Sequence, residues 1–348
     1  MAFDRILGQE QPKKILKNAL QSRNVAHAYL FHGQESIGKK QIAIELAKSL
    51  NCASPIKGDA CDECISCRKI ENRIHPDFFF IEPIKNTPTA REAVIKIEAI
   101  RELQRKLAFH PYEGKVKVAI IDAADLMNLQ AANSFLKTLE EPPLHLKFIF
   151  ATTEVKKIPV TIVSRCQRFD LHRISIKDLL QNFKRILKIE NGKISDKALT
   201  LIASAAEGSV RDSLSLLDRA LVSQSITEKE IDETFIRKML GIADKSKILS
   251  LLKFIFQGDV EKSREQLKEM VDEGIDPINF LNDLLEIIYF IQQKKSIGNF
   301  DSDLSISESE QKTIESISND ISMPTLIVYW QLILKVLDEL SIISNPIL

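Results

Sequence analysis

The sequence predicts a parallel α/β domain built around a phosphate loop, followed by all-helical segments that fill the second half of the chain. Three observations carry this. Four short apolar runs bounded by breakers, at 28–31, 78–81, 116–121 and 148–151, have the length and composition of buried parallel strands. Gly33-Gln34-Glu35-Ser36-Ile37-Gly38-Lys39-Lys40 follows the first run with the glycine spacing of a Walker A loop, whose backbone N–H groups cradle phosphates at a helix N-terminus. After His172 the strand signals stop. Strands that alternate with helices up to about residue 170 imply a doubly wound sheet with its ligand edge at the strand C-termini.

Helical periodicity begins at 41–50, directly after the glycine loop, and recurs at 94–107 and 129–139 between strands. The segments 176–189, 196–206, 210–222 and 228–239 read as four consecutive helices, punctuated by Asn191-Gly192 and Gly208. A further helical set is expected at 245–256, 260–271 and 278–292, separated by Gly258 and by the stretch 274–277. Serine and acidic residues cluster at 302–309 and predict an exposed, mobile loop, after which helices at 310–318 and 324–340 close the chain. The expected limits are 1–173 for the α/β domain, 174–241 for a small helical domain and 242–348 for a larger one.

At 348 residues the chain is too long for one ordinary core, which fits two or three domains. It is 44% hydrophobic and 28% charged, and its 48 Lys plus Arg balance 48 Asp plus Glu. No global field draws it to nucleic acid or to an anionic membrane, so any DNA contact is local or shared with partners. The N-terminus lacks the basic-then-apolar run of a signal peptide, and no charge-free apolar stretch reaches spanning length; even 326–340 carries Gln331, Lys335, Asp338 and Glu339. The expectation is a cytoplasmic protein with reduced cysteines.

The phosphate loop departs from its pattern at the eighth position. A Ser or Thr hydroxyl there normally ligates Mg²⁺, and the ammonium of Lys40 has no lone pair to offer a metal. The run Val118-Ala119-Ile120-Ile121-Asp122 ends as a Walker B strand should, in a carboxylate that holds the Mg²⁺ shell, but the Glu that usually follows to polarise water is Ala123. Glu35 adds negative charge where phosphates would lie. Gly33, Gly38 and Lys39 keep the elements of a weak anion site, ATP/Mg²⁺ binding is in doubt, and hydrolysis by this chain is expected to be negligible.

Cys52, Cys61, Cys64 and Cys67 are spaced C-x8-C-x2-C-x2-C, which in a reducing compartment suits a structural tetrahedral Zn²⁺ better than disulfides. The rival is an iron–sulfur cluster, whose C-x3-C-P continuation is missing after Cys67. Cys166 stands apart. Arg165, in Ser164-Arg165-Cys166, reads alone as a surface arginine; at the end of the terminal strand of a P-loop domain it has the placement of an arginine finger that acts in trans. Thr152-Thr153, at the end of the fourth strand, and Arg211, at the start of a later helix, have the placement of nucleotide-sensing residues. The six histidines show neither metal nor triad spacing.

With Ile6-Leu7-Gly8-Gln9, Ala26-His27-Ala28-Tyr29-Leu30-Phe31, His75-Pro76-Asp77, the run from Ala132 to Pro143 containing Leu139-Glu140-Glu141-Pro142-Pro143, and Ser164-Arg165-Cys166, the chain resembles the bacterial DNA polymerase III clamp-loader subunits of the AAA+ class over residues 1 to about 240. The degenerate loop makes delta-prime the favoured member. Gly208-Ser209-Val210-Arg211-Asp212-Ser213-Leu214 looks as much like gamma/tau, the ATP-hydrolysing motor, which is the alternative. The resemblance implies an AAA+ domain with a zinc insertion at 52–67, a helical lid and an oligomeric collar. It further implies a polymerase holoenzyme component whose Arg165 serves ATP held by an adjacent subunit, with gamma/tau and delta as neighbours, and the sliding clamp and primer-template DNA as partners reached through the complex. No membrane partner is expected.

Overall fold

A computed structural model describes residues 2–85, 93–227, 230–241, 245–272, 274–297 and 308–340. The loop expected at 302–309 lies largely outside the described residues; where description resumes, at Glu308, the chain is already helical.

A 3-10 turn at Ala2–Arg5 leads into α1 (Glu10–Gln21), β1 (Ala28–His32), α2 (Lys39–Asn51) and α3 (Ile65–Glu71). There follow β2 (Phe78–Ile81), the short pair β3 (Ile84–Lys85) and β4 (Ala93–Val94), α4 (Ile97–Leu107), β5 (Lys117–Ile121), α5 (Leu129–Glu140), β6 (Leu146–Thr152), α6 (Val160–Val163) and β7 (Gln167–Asp170). The five longer strands form one parallel sheet in the order β2-β5-β6-β1-β7. Four of them are the apolar runs of the sequence. The fifth, β7, is missing from the sequence reading because it lies at the sheet edge and only Phe169 in Gln167-Arg168-Phe169-Asp170 is buried; the β3–β4 pair is too short to carry a pattern.

Alternation along the strands divides the core into two layers. Tyr29, Phe31 and Ile149 pack with Ile42, Leu46 and Ala47 of α2 on one face. Leu30, Phe148 and Phe150 pack on the other, where Phe135 of α5 meets Phe148 and Phe150 edge-on at 5.5 and 5.6 Å. Burial of both faces is why these strands read as continuous apolar runs.

After β7 the chain is helical: α7 (Ile176–Glu190), α8 (Asp196–Ala205), α9 (Val210–Thr227), α10 (Glu233–Leu240), α11 (Lys245–Gln257), α12 (Val260–Asp272), α13 (Pro277–Ile297), α14 (Glu308–Asp320) and α15 (Met323–Leu340). Ser175 caps α7 by accepting from Asp178 N, and Asn191 ends it in the left-handed region at φ 54°. Two compact units result, 1–192 with 202–228, and 193–201 with 229–348, with the border inside α8. The second has its own core of Ile248, Leu252, Ile287, Ile288, Ile314 and Leu326. Among the described residues no single helix is long and apolar enough to cross a membrane; Thr313–Asp320 with Met323–Leu340 reaches that composition only as a pair bent by 109°.

Candidate nucleotide and metal sites

The glycine loop occupies the C-terminal edge of the sheet, between β1 and α2. Gly33 has φ 153°, and a Cβ there would meet the Leu171 carbonyl oxygen at 2.5 Å, so side chains are excluded. Gly38, at φ 99°, turns the chain into α2. Lys39 Nζ bonds the loop's own carbonyls, Gly33 O at 2.8 Å and Gln34 O. Burial lowers the pKa of Lys39, against the opposing pull of Asp122, Glu35 and Asp125.

Lys40 lies where the sequence leaves a gap for metal. Its ammonium bonds Glu82, stands 3.4 Å from Asp122 Oδ2 and sits 4.8 Å from the centroid of Phe80. Arg73 reaches the other oxygen of Glu82 at 3.1 Å, and the hydrogen bond from Lys40 holds the Glu82 carboxyl below its usual range. Ala123, in place of the water-polarising Glu, adopts φ 49°, in the left-handed region.

The strand-end threonines divide their work. Thr152 Oγ1 donates to Asp125 at 2.6 Å, whereas Thr153 contributes its backbone N–H to the same carboxylate at 3.4 Å. Asp125 was missed from sequence because nothing distinguishes it from a surface carboxylate after a strand. Arg173 was missed as well: Nε bonds Gln34 at 2.8 Å, and Nη1 bonds the Glu207 backbone and carboxylate at 2.8 and 2.7 Å. With Ser36 O accepting from Val210 N at 3.0 Å, it ties the loop to the turn before α9. Gln34, Glu35, Ile37, Arg173 and Glu207 line a cleft of about 230 Å³ there. Arg211 is exposed on the first turn of α9 and does not line that cleft.

Arg165 is at the other edge. In the parallel pairing of β1 with β7, Gln167 faces Tyr29 and Asp170 faces His32, so the turn before β7 and the loop after β1 lie at opposite strand ends. Four residues of strand separate them, ~13 Å at about 3.3 Å per residue. The guanidinium bonds Thr161 O at 2.7 Å and Glu140 Oε1 at 2.8 Å. Glu140 belongs to the Leu-Glu-Glu-Pro-Pro run at the end of α5.

Cys52, Cys61, Cys64 and Cys67 converge, with all four sulfurs within 4.8 Å of one another. They are free thiols, and about 3.8 Å is the sulfur–sulfur distance that four Zn–S bonds of ~2.3 Å impose on a tetrahedron. Backbone N–H groups of Cys61, Cys64 and Cys67 point at the sulfurs of Cys52, Cys61 and Cys64 at 3.3–3.4 Å. The N–H of Cys64 is the main cause that pushes Cys61 down to about 6. Such a donor set fits one tetrahedral divalent ion better than a cluster, whose several irons would hold the thiolates further apart. Four ligands leave no open position, so an ion held there is structural. Cys166 packs beside the core under α5, and burial pushes its thiol up to about 12.

A parallel sheet with β6 inserted between the loop strand β1 and the Walker B strand β5, followed by a helical region, defines a P-loop protein of the AAA+ class. The sequence family described as "DNA polymerase III, delta subunit" matches residues 8–175, the clamp-loader ATPase lid domain matches 178–225, and domain III of the gamma and tau subunits matches 231–348. The chain is 33% identical over 344 residues to the DNA polymerase III subunit gamma of Buchnera aphidicola subsp. Schizaphis graminum, covering 99% of this chain and 92% of that one. It is 37% identical over 288 residues to subunit tau of Bacillus subtilis, covering 83% of this chain but 49% of that protein. Its fold is similar to that of the Holliday junction branch migration motor RuvB of Thermotoga maritima, with a TM-score of 0.50, 18% identity, and 74% and 79% of the two chains covered. The chain belongs to the gamma/tau family of DNA polymerase III clamp-loader subunits. It spans nearly all of the Buchnera gamma subunit and about half of the Bacillus tau subunit.

The delta-prime expectation is therefore corrected to gamma/tau. Lys40 and Ala123 change the chemistry of one site and leave the rest of the chain untouched, and the C-terminal half, where sequence reading found only helical character, matches gamma/tau domain III.

Proposed function

We propose that this chain is the gamma/tau-type subunit of a DNA polymerase III clamp loader, and that it acts on ATP through Arg165, at a neighbour's site, in preference to its own loop. The observation that carries this is the placement of Arg165 at the strand end opposite the loop, out of reach of phosphate bound in cis. A finger so placed serves only a nucleotide presented by an adjacent subunit, where its guanidinium stabilises charge developing on the transferred phosphoryl group. At the chain's own loop, Lys40 occupies the Asp122 carboxylate, and Ala123 supplies no base.

In this reading residues 1–173 are the AAA+ domain, 174–241 the lid and 242–348 the collar. The neighbours are other gamma/tau and delta-class subunits, and the complex places the sliding clamp on primer-template DNA. Zn²⁺ at Cys52, Cys61, Cys64 and Cys67 holds the 52–67 insertion. Gly33, Gly38, Lys39, Asp122, Thr153 and Arg211 are the remnants of the nucleotide site.

A second reading, an ATP-hydrolysing motor, is favoured by the gamma and tau names of the relatives. The two separate on one pair of measurements. Purified chain should show no ATPase, and Arg165→Ala should lower turnover at the site it serves in the reconstituted ring by roughly a thousandfold. Hydrolysis by the isolated chain that Lys39→Ala abolishes would establish the motor, and undiminished ring turnover with Arg165→Ala would remove the finger.

A further inference from the structure

Lys40, Glu82, Asp122, Arg73 and Phe80 form a network that the action of Arg165 does not use. It draws together the start of α2, the residue after β2, the residue after β5 and the turn after α3. Glu82 is shared by two cations, Lys40 and Arg73 at 3.1 Å, and both stand over the ring of Phe80, at 4.8 and 4.2 Å from its centroid. The Lys40 ammonium is thereby held at two fixed carboxylates and one ring face, 3.4 Å from Asp122. Asp122 is the carboxylate that would attract a divalent ion, and position 40 is the place of the hydroxyl that would complete its shell. One covalently attached cation stands in for both.

Resting on the reading of this loop as a non-hydrolysing nucleotide site, we propose that Lys40 is a built-in counter-ion that frees the loop from divalent metal, so that it takes the polyphosphate of a nucleoside triphosphate in its metal-free form. The electrostatics run in that direction. Mg²⁺ on a triphosphate cancels part of the negative charge that Lys39 and Lys40 attract, and it brings a second cation to a carboxylate that Lys40 already neutralises. It also finds no hydroxyl at position 40. Metal-free nucleotide keeps its full charge, and the backbone N–H groups at the start of α2 receive it as they would in an ordinary loop.

The test is a fluorescence titration of the full chain with mant-ATP, in EDTA and in excess Mg²⁺, alongside Lys40→Thr. Wild-type protein should bind equally or up to about tenfold tighter in EDTA, whereas Lys40→Thr, which restores the hydroxyl and frees Asp122, should bind at least about tenfold tighter with Mg²⁺. Wild-type binding that requires Mg²⁺ would overturn the proposal. So would the absence of binding in EDTA at millimolar nucleotide, which leaves the role of Arg165 untouched because that role is read from the assembled ring. If Lys40→Thr fails to fold, the two wild-type titrations decide the matter by themselves.

Discussion

Arg165 is held by a carboxylate and a carbonyl at the surface, and that restraint is weak. An exposed pair such as Arg165–Glu140 contributes about 0–1 kcal/mol, so little free energy fixes the guanidinium in this position. Lys40 has two carboxylates and a ring face about it, yet removing it does not repair the site: Lys40→Thr should leave the isolated chain without measurable ATPase, because Ala123 still lacks the carboxylate that polarises water. Phosphate release above background from that variant would refute the division of roles at this site. Asp77 makes a different point at the same scale. His75-Pro76-Asp77 looked like a family signature; the structure gives it a structural reason. The Asp77 carboxylate is fully buried and accepts from the N–H groups of Tyr112, Glu113 and Gly114 at 2.7–2.8 Å. Burial alone would raise its pKa, but the three donors outweigh burial and hold it below the ordinary 3.8. A depressed folded pKa contributes stability above the unfolded value that is lost as pH falls through the folded one. The melting temperature should therefore drop as pH falls below about 3.8, and Asp77→Asn should flatten that dependence while lowering stability at pH 7.

At the scale of elements, the cysteine insertion is bolted to its surroundings by charge. Asp59, buried, accepts from Phe3 N at 3.1 Å and pairs with Lys17 at 3.2 Å. Asp62 pairs with Arg5 at 3.4 Å and with the buried Lys48 of α2 at 2.6 Å, and Lys48 also holds Glu45 and Glu71. The loop that carries the four thiolates is thus also the socket for the first residues of the chain. If the four cysteines hold Zn²⁺, its chelation, or Cys64→Ser, should destabilise this end of the domain by more than about 2 kcal/mol and accelerate tryptic cleavage after Arg5. Unchanged cleavage would show that the socket stands without the ion. The turn into α9 is a second joint. Gly208 has φ 79°, and a Cβ would meet Arg173 Cβ at 2.6 Å and Ile174 O at 2.9 Å. Gly208→Ala should cost roughly 1–3 kcal/mol, readable as a shift in denaturant midpoint, by displacing the backbone to which Arg173 ties the loop.

For the whole molecule, α15 leaves Ile327, Val328, Leu332, Leu334 and Val336 between 42% and 53% exposed, although its Leu326 and Ile333 are buried in the core of the second unit. A helix apolar on more than one face has more to bury than its own unit covers. If 242–348 is the collar, Val328→Lys with Leu332→Lys should abolish assembly with partner subunits, measured by size-exclusion chromatography, while the melting temperature of the free chain stays nearly constant.

What the sequence alone determined were the features written locally: four strands buried on both faces, the glycine loop with its wrong eighth residue, Ala123 in place of the water-polarising Glu after Asp122, and the four-cysteine spacing. Each follows from residue type at short separation, and short separation is what a sequence displays. Features that need partners from distant segments stayed hidden. Edge strand β7 carries a single buried side chain, Arg173 gains meaning only through Gln34 and Glu207, and Asp125 only through Thr152. Sequence showed that Lys40 cannot ligate a metal; only the tertiary fold brought Glu82, from the end of another strand, and Asp122 to its ammonium. Sequence likewise suggested a finger at Arg165. Strand register decided that Arg165 lies at the strand end opposite its own loop, because parallel pairing of β1 with β7 fixes which end of the sheet each turn occupies.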